Sequence, residues 1–149
     1  MIINSLDQLN KISLKIITSI NKEDCILFSG EIGVGKTTLI RALINNLQKQ
    51  NKEVETEVLS PTFNIVYEYQ IGSFKIMHYD LYRLKNEKAV QQLGVFEQDI
   101  NNIKIIEWAE IIKDKPDDRL EVYMSYGKEQ NMRKIDFKGL GKWKEFNAI

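Results

Sequence analysis

The stretch Cys25-Ile26-Leu27-Phe28-Ser29-Gly30-Glu31-Ile32-Gly33-Val34-Gly35-Lys36-Thr37-Thr38-Leu39-Ile40 decides the fold. Its middle, residues 30–37, fits G-x-x-x-x-G-K-[ST], the phosphate-binding P-loop. Each required position has a separate physical job. Glycines let the chain wrap tightly enough for successive backbone N–H groups to face one anion. Lys36 reaches β- and γ-phosphate oxygens, and the Thr37 hydroxyl is placed to ligate Mg²⁺. Gly33 is optional in the pattern and adds room for close backbone approach. Average residue usage produces this pattern by accident in roughly half a percent of chains of this length, so the flanking sequence decides its meaning.

The flanks agree with the motif. Residues 25–28 form a short apolar run that reads as a buried parallel strand. Downstream, Leu39, Ile40, Ala42, Leu43, Ile44 and Leu47 recur at helical spacing. Thr37 therefore opens a helix whose positive dipole end faces the phosphates. Strand, glycine loop and helix follow in the required order.

Composition bounds the rest. At 149 residues the chain is expected to form one domain spanning 1–149. Lysine plus arginine and aspartate plus glutamate both number 21, so the chain lacks the basic excess of a protein that grips nucleic acid alone. Only four of the cations are arginines, at 41, 83, 119 and 133. The single cysteine, Cys25, excludes a disulfide framework and reads as a packed, inert thiol. No signal peptide or membrane span is visible, which predicts a cytoplasmic protein with no membrane partner.

Ser5-x-x-Gln8 resembles a capping box, and Leu6, Leu9, Ile12, Ile16 and Ile20 predict an amphipathic helix over residues 5–20. Residues 54–59 read as a strand. Segments 64–70 and 74–79 flank Gly72-Ser73 and read as a hairpin. Residues 84–93 read as a helix stopping near Gly94, residues 103–106 as a strand, and a short helix is expected after Trp108. Segments 120–126 and 132–137 form a late hairpin, followed by a mixed tail. The layout is α/β: a P-loop NTPase-like three-layer sandwich with a mixed, partly parallel central sheet and antiparallel hairpin additions.

A P-loop needs a carboxylate at the end of a neighbouring strand to hold Mg²⁺. Glu107 ends the apolar run 103–106, and Asp80 ends the segment 74–79. One would bind the metal while the other orients water or tunes the metal shell. Strand alternation puts His78, the only histidine, on the same face as Asp80 and makes it a candidate support for the site. Ser60-Pro61-Thr62 is either a switch loop whose threonine senses a γ-phosphate or a plain loop with a rigid proline. Trp108 is either a core anchor or an aromatic beside the nucleotide. Arg41 and Arg83 are either internal charge stabilisers or, in turn, an exposed helix-face residue and a structural ion-pair partner. Asn21-Lys22-Glu23-Asp24 spells the N-K-x-D of GTPases, but only residues 25–29 separate Asp24 from Gly30 and the strand uses them all. It is a helix-to-strand turn.

Four segments together resemble the TsaE (YjeE) family of bacterial P-loop ATPases: Gly30 to Thr38 with Arg41; Ser60-Pro61-Thr62-Phe63; His78-Tyr79-Asp80-Leu81-Tyr82-Arg83-Leu84; and Ile106-Glu107-Trp108. The H-x-D-L-Y-R-L string joined to a P-loop is highly specific, and the resemblance covers nearly the whole chain in order and size. Where the family often has proline after I-E-W, Ala109 stands here.

The P-loop and the resemblance assign ATP to Glu31, Ile32, Gly33, Val34, Gly35, Lys36, Thr37, Thr38, Thr62 and Trp108. The resemblance implies Mg²⁺ on Thr37 and Glu107, and hydrolysis that requires Asp80 together with Lys36 and Glu107. It implies two protein partners, of TsaB and TsaD type, that carry threonylcarbamoyl transfer to A37 of tRNA. Hydrolysis would reset that complex between rounds, and tRNA would be touched indirectly. With few arginines to spare, turnover is expected to be slow alone and stimulated by partners. Two rivals remain: a small-molecule kinase, although no segment carries two arginines close together, and an assembly module controlled by bound nucleotide.

Overall fold

A computed structural model describes residues 1–97 and 101–149. Seven strands form one sheet in the order β1-β7-β6-β2-β5-β4-β3. The strands are β1 (Ile2–Ile3), β2 (Cys25–Gly30), β3 (Val66–Ile71), β4 (Phe74–Asp80), β5 (Asn102–Glu107), β6 (Arg119–Tyr126) and β7 (Arg133–Leu140). The centre, β6-β2-β5-β4, is parallel, and β3, β7 and β1 add antiparallel neighbours.

Strand β2 lies in the middle and is apolar on both faces, as a parallel strand covered on both sides must be. Ile26 and Phe28 face a core built with helices α1 (Leu6–Ile17) and α2 (Lys36–Gln50). Cys25 and Leu27 face a smaller core with Tyr79, Ile106, Ala109 and Val90, the last from helix α3 (Glu87–Gln92). Helices, sheet and the thinner second layer make the expected three-layer α/β sandwich. Phe28 is fully buried, and truncating such a ring to alanine costs about 3–5 kcal/mol.

Local chemistry sets the helix ends. Ser5 Oγ accepts from Gln8 N at 3.3 Å, while Gln8 Oε1 accepts from Asn4 N at 2.8 Å. Helix α1 stops at Ile17, short of the expected residue 20, because the Thr18 hydroxyl donates to the Lys15 carbonyl and Ser19 N to Ile16 O. The α3 segment begins at its cap Asn86, later than the expected residue 84, since Asn86 Oδ1 takes the Ala89 amide. The short helix after Trp108 is a 3₁₀ turn, Ala109–Ile111.

One predicted strand is absent. Residues 54–59 have no strand partner because the side chains of α2 satisfy their backbone instead. Gln48 Oε1 accepts from Thr56 N, Asn45 Nδ2 donates to Thr56 O, and Arg41 Nε donates to Val58 O. Two further features stabilise the far edge. Ile2 and Ile3 pair with Lys134 and Arg133 as strand β1. In the tail, Trp143 is 2% exposed and packs edge-on against Phe146 at 5.4 Å. Gly139 permits this closure, since a Cβ there would stand 1.8 Å from the Trp143 carbonyl oxygen.

Among the described residues, no helix is long and apolar enough to cross a membrane. Cys25 is buried, and that burial pushes its thiol up to about 12. The folded protein is therefore expected to resist alkylation by iodoacetamide at pH 8, with labelling appearing only on unfolding. Rapid labelling of the folded chain would contradict this packing.

Candidate nucleotide site

The site lies where β2, β5 and β4 end beside the first turn of α2. Parallel strands deliver their carboxyl ends to one edge, and in open α/β sheets that edge is where ligands bind. In register, Asp80 and Glu107 are direct neighbours at the ends of β4 and β5. Period-two alternation puts His78 and Asp80 on the face of Ile76, and Glu107 on the face of Ile103 and Ile105, which is the face that α2 covers.

The loop between β2 and α2 turns through backbone conformations that favour glycine. Gly30 has φ +142°, and a Cβ there would lie 2.1 Å from the Met124 carbonyl oxygen. Gly35 caps α2 at φ +110° with no side-chain hydrogen bond. The opening amides of α2 therefore have neither an intrahelical acceptor nor a capping side chain, and no acidic residue stands in that first turn. Lys36 Nζ folds back to donate to the carbonyls of Gly30 at 2.6 Å and Glu31 at 2.9 Å.

Thr37 Oγ1 donates to Glu107 Oε1 at 2.8 Å, and His78 Nε2 donates to Glu107 Oε2 at 2.7 Å. His78 is completely buried, Glu107 is 2% exposed, and His78 Nδ1 has no hydrogen-bond partner among the described residues. The histidine thus acts on Glu107 alone, fixing the rotamer that presents Oε1 to Thr37.

Asp80 is held by a different set of donors. Its Oδ2 accepts from Ser60 Oγ at 3.0 Å and Thr62 Oγ1 at 2.9 Å, and its Oδ1 from Tyr82 N at 2.9 Å. The loop that brings these hydroxyls closes on Ile65, a β-branched residue at φ +69°. Such a conformation costs about 1–3 kcal/mol and persists only when neighbours hold it. Here Ile65 N donates to Pro61 O, and Ile65 O accepts from Asp80 N.

Trp108, also left-handed at φ +58°, turns its ring back over the lysine, with Lys36 Nζ 4.1 Å from the ring centroid. Tyr82 packs against the same indole, tilted, at 4.8 Å between ring centroids. Trp108 lines the cleft and also packs against the smaller core, so it combines features of both roles open to it. Glu110 joins the loop by accepting from Gly30 N at 3.1 Å.

One cleft is lined by Ile32, Gly33, Gly35, Lys36, Thr37, Thr38, Thr62, Asp80, Glu107 and Trp108, together with Ser60 and Tyr82. Two of the residues expected at the nucleotide do not line it with side chains. Val34 is buried in the core, and Glu31 offers its carbonyl to Lys36. Arg41 and Arg83 are also absent from the cleft. Arg41 is tied to Val58 O, and Arg83 Nη1 to Phe63 O at 3.3 Å. Tyr82 and Glu110 carry no motif signal of a part in the cleft beyond the aromatic type of Tyr82, two residues past Asp80. The N-K-x-D look-alike sits at the opposite end of β2, where Asp24 Oδ2 takes the Asn21 amide and Oδ1 pairs with Lys142.

Comparisons with known proteins identify the family and the fold. The family profile described as "Threonylcarbamoyl adenosine biosynthesis protein TsaE" matches residues 3–135. The chain belongs to the TsaE family. The TsaE protein of Rickettsia felis is 39% identical over 114 residues, covering 76% of this chain and 64% of that protein. The alignment with the Rickettsia conorii TsaE covers 61% of its length, so this chain spans less than two thirds of those relatives. The TsaE of Aquifex aeolicus is 32% identical over 91% of this chain and 92% of its own length. The crystal structure of YdiB from Bacillus subtilis superposes with a TM-score of 0.70 at 22% identity, over 97% of this chain and 87% of that one, and bears out the fold.

Burial holds the Lys36 ammonium below its ordinary pKa, against the upward pull of Glu107, Glu110 and Asp80. A lowered value means the folded state binds this proton less tightly than the unfolded chain. The charged lysine is then a destabilising term at neutral pH, fading only as pH rises from the folded toward the unfolded value. In this TsaE-family chain, Lys36→Met is expected to leave the thermal midpoint at pH 7 no lower than that of the unmodified protein. A clear fall in the midpoint would contradict this sign.

Proposed function

We propose that this TsaE-family chain binds Mg-ATP in the P-loop cleft and hydrolyses it as the nucleotide-driven component of tRNA threonylcarbamoyladenosine (A37) biosynthesis. The observation that carries the reading is the convergence of Lys36, the Thr37–Glu107 pair and the hydroxyl-bound Asp80 on one cleft. The biosynthetic role rests on the printed names of the family and of its Rickettsia and Aquifex members.

The residues fit both groups. The uncapped first turn of α2 and the glycine-wrapped loop make an anion cradle for the phosphates of ATP. Among the described residues there is no cluster of three or more His, Cys, Asp or Glu that could hold a metal. Magnesium in such sites needs fewer protein ligands, because it keeps waters and takes substrate phosphate oxygens. Thr37 Oγ1 and Glu107 Oε1, 2.8 Å apart, are the two that would hold it. Bound there, Mg²⁺ would supply neutralising charge to the β- and γ-phosphate oxygens.

The chain's own residues divide the remaining work. Lys36 and the loop amides bind the phosphates, and Trp108 keeps water from one side of the lysine. Asp80, an acceptor oriented by Ser60, Thr62 and Tyr82, positions the attacking water and takes its proton as the γ-phosphorus–oxygen bond to ADP breaks. No arginine lines the cleft. An arginine supplied in trans adds 10³–10⁵ in rate to such sites, so turnover is slow until partner proteins of TsaB and TsaD type assemble. With a formal net charge of zero, the chain reaches tRNA through those partners.

ATP turnover is to be measured with the protein alone, then with both partners and tRNA. The expected result is a low rate that rises on assembly, vanishes in Lys36→Ala, and is lost in Asp80→Asn while ATP binding persists. Turnover indifferent to partners would contradict the partner-gated reading. Assembly on ATP with no turnover in any combination, unaffected by Asp80→Asn, would favour the assembly module.

A further inference from the structure

A P-loop works only if its carbonyls face away from the anion and its amides face toward it. Glycines make the wrap sterically cheap, but they also leave the peptide planes free to turn over. Something outside the loop must therefore hold the planes. In this chain two of the loop's carbonyls are held from the β6–β7 hairpin. Tyr126 OH donates to Ile32 O at 2.8 Å, and Arg133 Nε donates to Val34 O at 3.0 Å.

Tyr126 and Arg133 are direct register partners at the end of that hairpin. The Arg133 guanidinium lies 4.6 Å from the Tyr126 ring centroid, and its Nη1 is fixed by the carbonyls of Gln130 and Met132, each at 2.8 Å. The two side chains form one rigid clip. Gly33 sits directly beneath it at φ +74°, where a Cβ would come within 3.1 Å of the Tyr126 oxygen.

The consequence follows from peptide geometry. All described peptide bonds are trans, and in a trans peptide the C=O and the next residue's N–H point in opposite directions. Holding Ile32 O toward the hairpin turns the Gly33 amide to the other side, and holding Val34 O does the same for Gly35. Both glycines line the nucleotide cleft. A carbonyl that accepts a strong hydrogen bond also makes its own amide a better donor.

We propose that Tyr126 and Arg133 are positioning residues that aim the Gly33 and Gly35 amides into the phosphate cradle. The proposal rests on the reading of this loop as a nucleotide cradle and deepens it. Neither side chain touches the phosphates; each acts through one peptide plane.

The chain has only eight glycines, so selective ¹⁵N-glycine labelling yields a spectrum in which Gly33 and Gly35 can be followed singly. Tyr126→Phe, which removes one oxygen, is expected to move the Gly33 resonance and weaken binding of inorganic tripolyphosphate with Mg²⁺ by about 3–10-fold. Arg133→Met is expected to move Gly35 and cost about tenfold or more, since its donor is charged. Arg133→Lys, which keeps a cationic donor, recovers part of that loss. Affinities within twofold of the unmodified protein, with both resonances in place, would overturn the proposal. So would an affinity loss in which all eight resonances move, because that marks general loosening of the fold. If the unmodified protein binds neither tripolyphosphate nor ATP, the cradle reading itself fails and the clip falls with it.

Discussion

The site depends on a buried carboxylate with two donors. Glu107 is almost wholly withdrawn from water, and an unpaired charge there would cost several kcal/mol. Thr37 satisfies one oxygen and His78 the other. Those two hydrogen bonds join three elements: the first turn of α2, the end of β5 and the middle of β4. The position of the P-loop relative to the sheet is therefore not left to loop packing. Withdrawing either donor leaves the carboxylate under-satisfied in an apolar setting, which makes the junction sharply defined.

A second constraint is stored around Asp80. Its carboxylate gathers two hydroxyls from the 60–62 loop, and its amide holds the carbonyl of the strained Ile65. Strain of this kind survives where surrounding contacts over-determine it. The same aspartate thus anchors the loop through its backbone and is dressed by the loop through its side chain. Any ligand that draws Ser60 or Thr62 away would alter both restraints together. Trp108 adds a second local strain, with a left-handed backbone that seats its ring on Lys36.

The parts of the fold visible in the sequence are those with strong local pattern. The apolar run 25–28, the glycine loop and the 3.6-residue spacing of α2 specify their elements without outside help. Asp80 and Glu107 were visible because each ends a β-rich run and the P-loop demands a carboxylate near it. Residues 54–59 carry a β-like pattern, which does not say which partner will take the backbone; Gln48, Asn45 and Arg41 take it. The Tyr126–Ile32 and Arg133–Val34 contacts join positions about a hundred residues apart, and no local periodicity encodes them. Strand β1 was hidden for a related reason, since two residues suffice only when β7 offers an edge. Glu31 and Val34 fit the motif, yet motif membership does not distinguish backbone contribution from side-chain contribution.

In the proposed function, Glu107, held by His78 and facing Thr37, completes a magnesium-dependent nucleotide site. Calorimetric titration of ATP with and without Mg²⁺, on the unmodified protein and on Glu107→Gln, tests it most directly. The account predicts that Mg²⁺ tightens binding to the unmodified protein and that this gain shrinks by about tenfold or more in Glu107→Gln. Equal ATP affinity with Mg²⁺ and with a chelator, or a full magnesium gain retained in Glu107→Gln, would contradict it.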